Sequence, residues 1–186
     1  MNRLRMLAAS ALILLSACIV FAESKEEKQA KARKKADDTL ARLYKAKPSA
    51  QAAIKSAAGY AVFNNGGAKI LVAGAGRGKG IAVDNSTKKV TYMKMREIQA
   101  GLGMGVKKFS VIFVFENRKA LNDFVDGGWE MGGQTTAAAK TGDSGGSLQG
   151  ATLVSPGVWV YQMTDKGLAL ELTAKGTKYL KDDDLN

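Results

Sequence analysis

Ala73-Gly74-Ala75-Gly76-Arg77-Gly78-Lys79-Gly80 places a glycine at every second position, and Gln99-Ala100-Gly101-Leu102-Gly103-Met104-Gly105-Val106 repeats the device. A period of two is the period of a strand, so the glycines of each ladder share one face and leave it bare. A bare face lets another strand or helix approach closely, or lets the sheet bend sharply. Glycine inside a strand is locally unfavourable, so close packing has to compensate. The expectation is an α+β fold: a small, strongly curved, antiparallel, glycine-rich β-sheet or barrel flanked by helices.

Outward from the ladders, the pattern fills in the other elements. Tyr60–Phe63 and Ala68–Val72 read as strands around a turn at Asn64-Asn65-Gly66-Gly67. Ile81–Val83 and Lys89–Met93 flank Asp84–Lys88 as a hairpin. Phe109, Val111, Phe113 and Phe115 alternate with Ser110, Ile112 and Val114, a strand apolar on both faces and therefore central. Asn117 caps a helix that buries Ala120, Leu121, Phe124 and Val125. Val158–Met163 and Leu168–Thr173 form a closing hairpin over Asp165-Lys166-Gly167, and Asp182-Asp183-Asp184 make a solvated tail.

Residues 48–186 form the domain, and an N-terminal helical arm over 23–47 precedes it. The arm holds nine basic and five acidic side chains. Ala36, Leu40, Leu43, Tyr44 and Lys47 fall on one helical face, Glu27 and Lys31 are spaced as an i,i+4 pair, and Lys47-Pro48-Ser49 ends the helix and caps a short second one. The stripe packs on the domain; a basic amphipathic helix lying on lipid is the alternative.

Ahead of the arm, Arg3 and Arg5 precede an uncharged run over 6–22. A short basic region before a short apolar core is a secretory signal, too short for a membrane span of about 20 residues. Two cleavage routes fit. Leu15-Ser16-Ala17-Cys18 has the form of a lipobox, with Cys18 lipidated; Val20-Phe21-Ala22 fits ordinary cleavage before Glu23. Either route takes the protein to the periplasm or the outer membrane of a bacterial cell.

Composition excludes much chemistry. The 186 residues include no histidine and one cysteine, which removes Ser-His-Asp and Cys-His catalysis, disulfides and ordinary zinc sites. Gly74-Ala75-Gly76 lacks the third glycine of a dinucleotide fingerprint, where Lys79 stands, and Gly78-Lys79-Gly80 lacks the rest of a Walker loop. Gly142-Asp143-Ser144-Gly145-Gly146 matches the surroundings of a protease nucleophile, but Ser144 has no histidine to activate it. Asp123, Asp126 and Glu130 lack calcium-loop spacing. No enzyme, cofactor or metal is expected.

The net charge of +11 calls instead for a polyanionic partner. Export sets nucleic acid aside and leaves anionic phospholipid. The candidate lipid-binding residues are Arg77 and Lys79 in the first ladder, Lys88 and Lys89 at the hairpin, and Lys107 and Lys108 opening the central strand. Cations at strand ends meet lipid phosphates without burial.

Gly59-Tyr60-Ala61-Val62-Phe63, the first ladder, the stretch Phe113–Phe124 and Val158 through Lys166-Gly167-Leu168 together resemble the SYLF domain, over roughly Leu40 to Asn186. The resemblance implies binding to membrane phospholipids, with phosphoinositides and actin as partners of some eukaryotic members, and exported or lipid-anchored envelope proteins among bacterial ones. Arg77 and Lys79 match the family's glycine-rich basic stretch. The chain stops at Asp184-Leu185-Asn186, where many members continue to an aromatic-glycine end. The reading is an exported, non-enzymatic protein that binds anionic phospholipid, with a protein partner open. A structural module of the cell envelope binding protein or peptidoglycan is the alternative.

Overall fold

The computed structural model describes residues 23–70, 73–100, 105–131, 148, 150–169 and 177–186, with backbone alone at 66–70, 73–75, 97–100 and 105–107. Among them are three helices, α1 (Lys25–Ala46), α2 (Ser49–Ser56) and α3 (Arg118–Gly127). The strands are β1 (Gly59–Ile70), β2 (Ala73–Asp84), β3 (Val90–Ala100), β4 (Gly105–Phe115), β5 (Trp129–Met131), β6 (Thr152–Ser155), β7 (Val158–Thr164), β8 (Gly167–Ala169) and β9 (Thr177–Lys181). All pair antiparallel in one sheet ordered β5-β9-β3-β2-β1-β4-β7-β6, and β8 also pairs with β7. The expected α+β class with a strongly curved glycine-rich sheet is what forms.

One ring contact measures the curvature. Four strand steps separate β9 from β4, about 19 Å in a flat sheet at the usual spacing of about 4.8 Å. Yet the rings of Phe113 on β4 and Tyr179 on β9 have centroids 4.8 Å apart. The sheet therefore curls around a core of Phe63, Phe113, Phe115 and Tyr179, into which α3 inserts Leu121 and Phe124. Glycine permits the curl. A Cβ at Gly78 would lie 2.6 Å from Met95 Cγ and 2.6 Å from Asn64 O, and one at Gly80 would overlap the Phe63 ring. Side chains of the two flanking strands thus fold across β2 where it bears none of its own.

The outer face holds a second core. α1 lays Ala32, Ala36, Leu40 and Leu43 against Val62, Ile81, Tyr92, Ile112 and Tyr161, so the arm is packed on the sheet. Asn117 caps α3 through a bond from Ala120 N, and β4 is buried on both faces between β1 and β7.

Four local expectations are corrected. Asn64-Asn65-Gly66-Gly67 is no turn: β1 runs unbroken from Gly59 to Ile70, because β2 and β4 bond both its edges along that length. Ser49 does not cap α2, whose N-cap is Pro48 without a side-chain bond. Glu27 serves a capping box with Ser24 instead of pairing with Lys31, which bridges Glu23 at 3.4 Å. Nor is the C-terminal tail simply solvated. Asp182 and Leu185 are buried, and Asn186 brackets Tyr92, its Oδ1 accepting from Tyr92 N at 2.9 Å and its Nδ2 donating to Tyr92 O at 2.8 Å. Gln29 Nε2 donates to Leu185 O at 2.7 Å, fastening α1 to the tail. The uncharged run over 6–22 with Cys18, the Ser144 loop and residues 101–104 of the second ladder lie outside the described residues.

Candidate functional site: a cationic band and a cavity on the outer face

Strand alternation puts Arg77 and Lys79 on the outer face with Ile81, roughly 7 Å apart along β2. Register then brings them neighbours. Arg77 faces Arg96, Arg96 faces Lys178, and on the other side Arg77 faces Gly66, whose second partner is Lys108. Lys79 faces Lys94 one row away. The result is a band of cations across β9, β3, β2 and β4, interrupted only by a residue with no side chain. Like charges directly opposite one another on adjacent strands are destabilising. Here that occurs three times, at Lys178–Arg96, Arg96–Arg77 and Lys94–Lys79.

Counter-charges inside the protein are few. Lys178 Nζ lies 3.3 Å from Glu130, and Lys79 Nζ reaches Asp182 only at 3.9 Å. Arg77, Arg96, Lys94 and Lys108 make no ion pair with another described residue.

Beside the band, between α1 and the sheet, lies a cavity of about 460 Å³. Lys35, Asp38, Thr39 and Arg42 line it from one helical stripe, at i, i+3, i+4 and i+7. Arg77, Asn64, Lys108 and Ser110 line it from the sheet, and Asp165 from the turn after β7. Its floor is polar and covered. Asn64 Oδ1 accepts from Ser110 Oγ at 2.8 Å and lies 2.9 Å from Thr39 Oγ1, which also lies 2.8 Å from Lys35 O. Arg42 Nη2 donates to Thr164 O at 2.7 Å and ties α1 to this end of β7.

The six cations expected from the sequence do not form one cluster. Arg77, Lys79 and Lys108 come together on the outer face. Lys107 pairs with Gly67 in the backbone register, and its side chain is outside the described residues. Lys88 and Lys89 stand at the β2–β3 turn, where seven residue steps along β2 separate Asp84 from Arg77. That is roughly 24 Å, far beyond the screening length of about 8 Å at physiological salt. The carboxylate of that turn is also fully partnered. Asp84 accepts from Thr87 N, Ser86 Oγ, Ser86 N and Arg118 Nη1, which hold its carboxyl well below the usual carboxylate range, and Arg118 also meets Ser86 Oγ. Sequence reasoning missed Lys94, Arg96 and Lys178, whose place is set by register, and Lys35, Thr39, Arg42 and Asn64, whose meeting depends on where α1 lies. The alternation of Arg96 and Lys94 with Met95 and Met93 was the available signal.

Comparison with known proteins places the chain. Residues 96–186 match the family model Ysc84, described as Las17-binding protein actin regulator. Over 150 residues the chain is 34% identical to Beta cell expansion factor A of Aeromonas veronii, an alignment covering 81% of this chain and 56% of that protein. The chain thus spans little more than half of that relative's length. Arg96, Lys108, Ser110, Asp165 and Lys178 fall inside the family match; Lys35, Arg42, Asn64, Arg77 and Lys79 precede it.

Proposed function

From the premise that this chain belongs to the Ysc84 (SYLF) family, we propose that it is a non-enzymatic lipid-binding protein that contacts anionic phospholipid through the outer-face band. The observation that carries the reading is the set of three like-charge pairs set directly opposite one another. A sheet that had only to be stable would alternate the signs. An anionic surface laid against the band removes the repulsion and gains attraction at every cation, at roughly 1 kcal/mol each near the membrane. The apolar run over 6–22 supports action outside the cytoplasm, at the cell envelope, with Cys18 as a lipid anchor or ordinary cleavage after Ala22.

Changing Arg77, Arg96 and Lys108 together to glutamine removes three charges, worth about 3 kcal/mol, and should weaken binding to phosphatidylglycerol vesicles about a hundredfold in co-sedimentation. The loss should shrink as salt rises. Wild-type binding by the triple variant, or wild-type binding insensitive to the anionic fraction, would overturn the assignment. The family's description names a protein partner, which favours a second reading as a protein-interaction module. A wild-type protein that ignores vesicles and captures an acidic protein through the same band would replace the first reading by that one.

A further inference from the structure

The cavity beside the band has a composition that an anion alone does not explain. Lys35, Arg42, Arg77 and Lys108 bring positive charge to it, but Asp38 and Asp165 line it too. A carboxylate at the mouth of an anion site weakens that site. Asp38 is held by Lys34 Nζ at 3.1 Å. Asp165 makes no ion pair with another described residue. Yet Thr164 pairs with Phe109, so Asp165 stands one residue past that pair and Lys108 one residue before it. Across the row the cavity thus has cations on β2 and β4 and a carboxylate at the end of β7. It has two poles.

We propose that this cavity takes a phosphoethanolamine-type zwitterion, its phosphate held by Arg77, Lys108 and Arg42 and its primary ammonium by Asp165. The inference rests on the lipid-binding reading and names the head group that the site selects within a membrane surface. Three features fit it. The opposed charges match a ligand carrying both signs. The hydroxyls of Thr39 and Ser110, with the Asn64 amide between them, supply a floor of reorientable partners for phosphate and ammonium alike. And among the described residues the lining holds a single aromatic, Phe109, where a quaternary ammonium is recognised by several aromatic faces. A primary ammonium donates three hydrogen bonds and suits carboxylate and hydroxyl partners instead. A cavity of about 460 Å³ lies within the range of small-ligand sites.

The chemistry could reach the cavity on a lipid or as a free ester, and the test separates the two. Vesicles carry a fixed fraction of phosphatidylglycerol, with the remainder either phosphatidylcholine or phosphatidylethanolamine. Wild-type protein should bind the ethanolamine vesicles about tenfold more tightly. Asp165→Asn should abolish that preference while its binding still rises with the phosphatidylglycerol fraction. Ser110→Ala, which leaves every charge in place, should narrow the preference. Equal binding to the two remainders, or an Asp165→Asn protein that keeps the preference, would overturn the head-group assignment. A wild-type protein indifferent to phosphatidylglycerol would instead strike at the surface reading beneath it. In solution, amide shifts at Thr39, Ser110 and Asp165 on adding glycerophosphoethanolamine but not glycerophosphocholine assign the site to free esters as well. Vesicle preference without such shifts assigns it to the lipid, and equal shifts with both esters overturn it.

Discussion

The two ends of β2 organise their charge in opposite ways. At the Asp84 end the carboxylate is answered locally: Asp84 receives two backbone N–H groups, a hydroxyl and the Arg118 guanidinium. At the Arg77 end, cation faces cation across the sheet at Arg77–Arg96 and Lys79–Lys94. The first end spends its one carboxylate and Arg118 on each other, beside Lys88 and Lys89, which make no ion pair with another described residue. The second holds unspent electrostatic attraction for something outside the protein. The contrast teaches that charge count does not locate a binding surface; the sign of the nearest neighbour does.

The comparison breaks most severely if β2 itself is distorted between its ends. Gly78→Val would drive a branched side chain into Met95 Cγ and Asn64 O, each 2.6 Å from where its Cβ would stand. Overpacking of this kind costs about 1–3 kcal/mol, more where backbone is struck. The urea midpoint should fall by the corresponding amount, and vesicle binding should fall with it, because Arg77 and Lys79 lose their shared face. A variant that keeps both would show that the bare face is dispensable.

A smaller effect sharpens the Asp84 end. Arg118→Gln removes one of four partners of Asp84 and should lower the thermal midpoint modestly while vesicle binding stays at the wild-type value. The acid limb carries the sign. The carboxyl of Asp84 is depressed in the fold relative to the unfolded chain, so its contribution is complete above the unfolded value near 4 and is lost as pH falls toward the folded one. The variant should therefore differ most from wild type above pH about 4 and converge on it in stronger acid. Convergence at neutral pH would show that the turn does not depend on this ion pair.

The smallest expected effect has the most telling sign. Arg96→Gln removes a cation that faces two others, Arg77 and Lys178. Relief of like-charge pairs of this kind is worth a few tenths to about 1 kcal/mol. Stability should rise by that amount in denaturant titration, while binding to anionic vesicles weakens roughly fivefold. A variant both less stable and equally adhesive would mean that Arg96 serves the fold rather than a partner.

Much of this architecture was legible residue by residue. The glycines of the first ladder required a face without side chains, the alternation over 109–115 required a strand buried on both sides, and Asn117 with Leu121 and Phe124 required a capped helix. The reading at Asn64–Gly67 failed because turn chemistry is a local preference, and β1 is paired along both edges, which outweighs it. The acidic tail misled for a related reason. Three aspartates in a row look solvated, but Leu185 and Asn186 beyond them have places to go, one in the outer core and one on the edge of Tyr92.

The sequence by itself determined the period of each element, the bareness of one face of β2, the presence of Arg77 and Lys79 on the other, and the absence of any histidine with which to build a catalytic centre. Those are properties of spacing and composition, and spacing alone decides which side chains share a face. Only the tertiary structure decided which cations meet. Arg77 and Arg96 are partners because β2 and β3 pair in one register; a slip of one residue would send Arg96 to the inner face. Lys35 and Arg42 join Lys108 and Asp165 because α1 crosses the sheet above Asn64, with Thr39 meeting that amide. Pairing register and helix placement depend on contacts between residues distant in the chain, and no local pattern carries them.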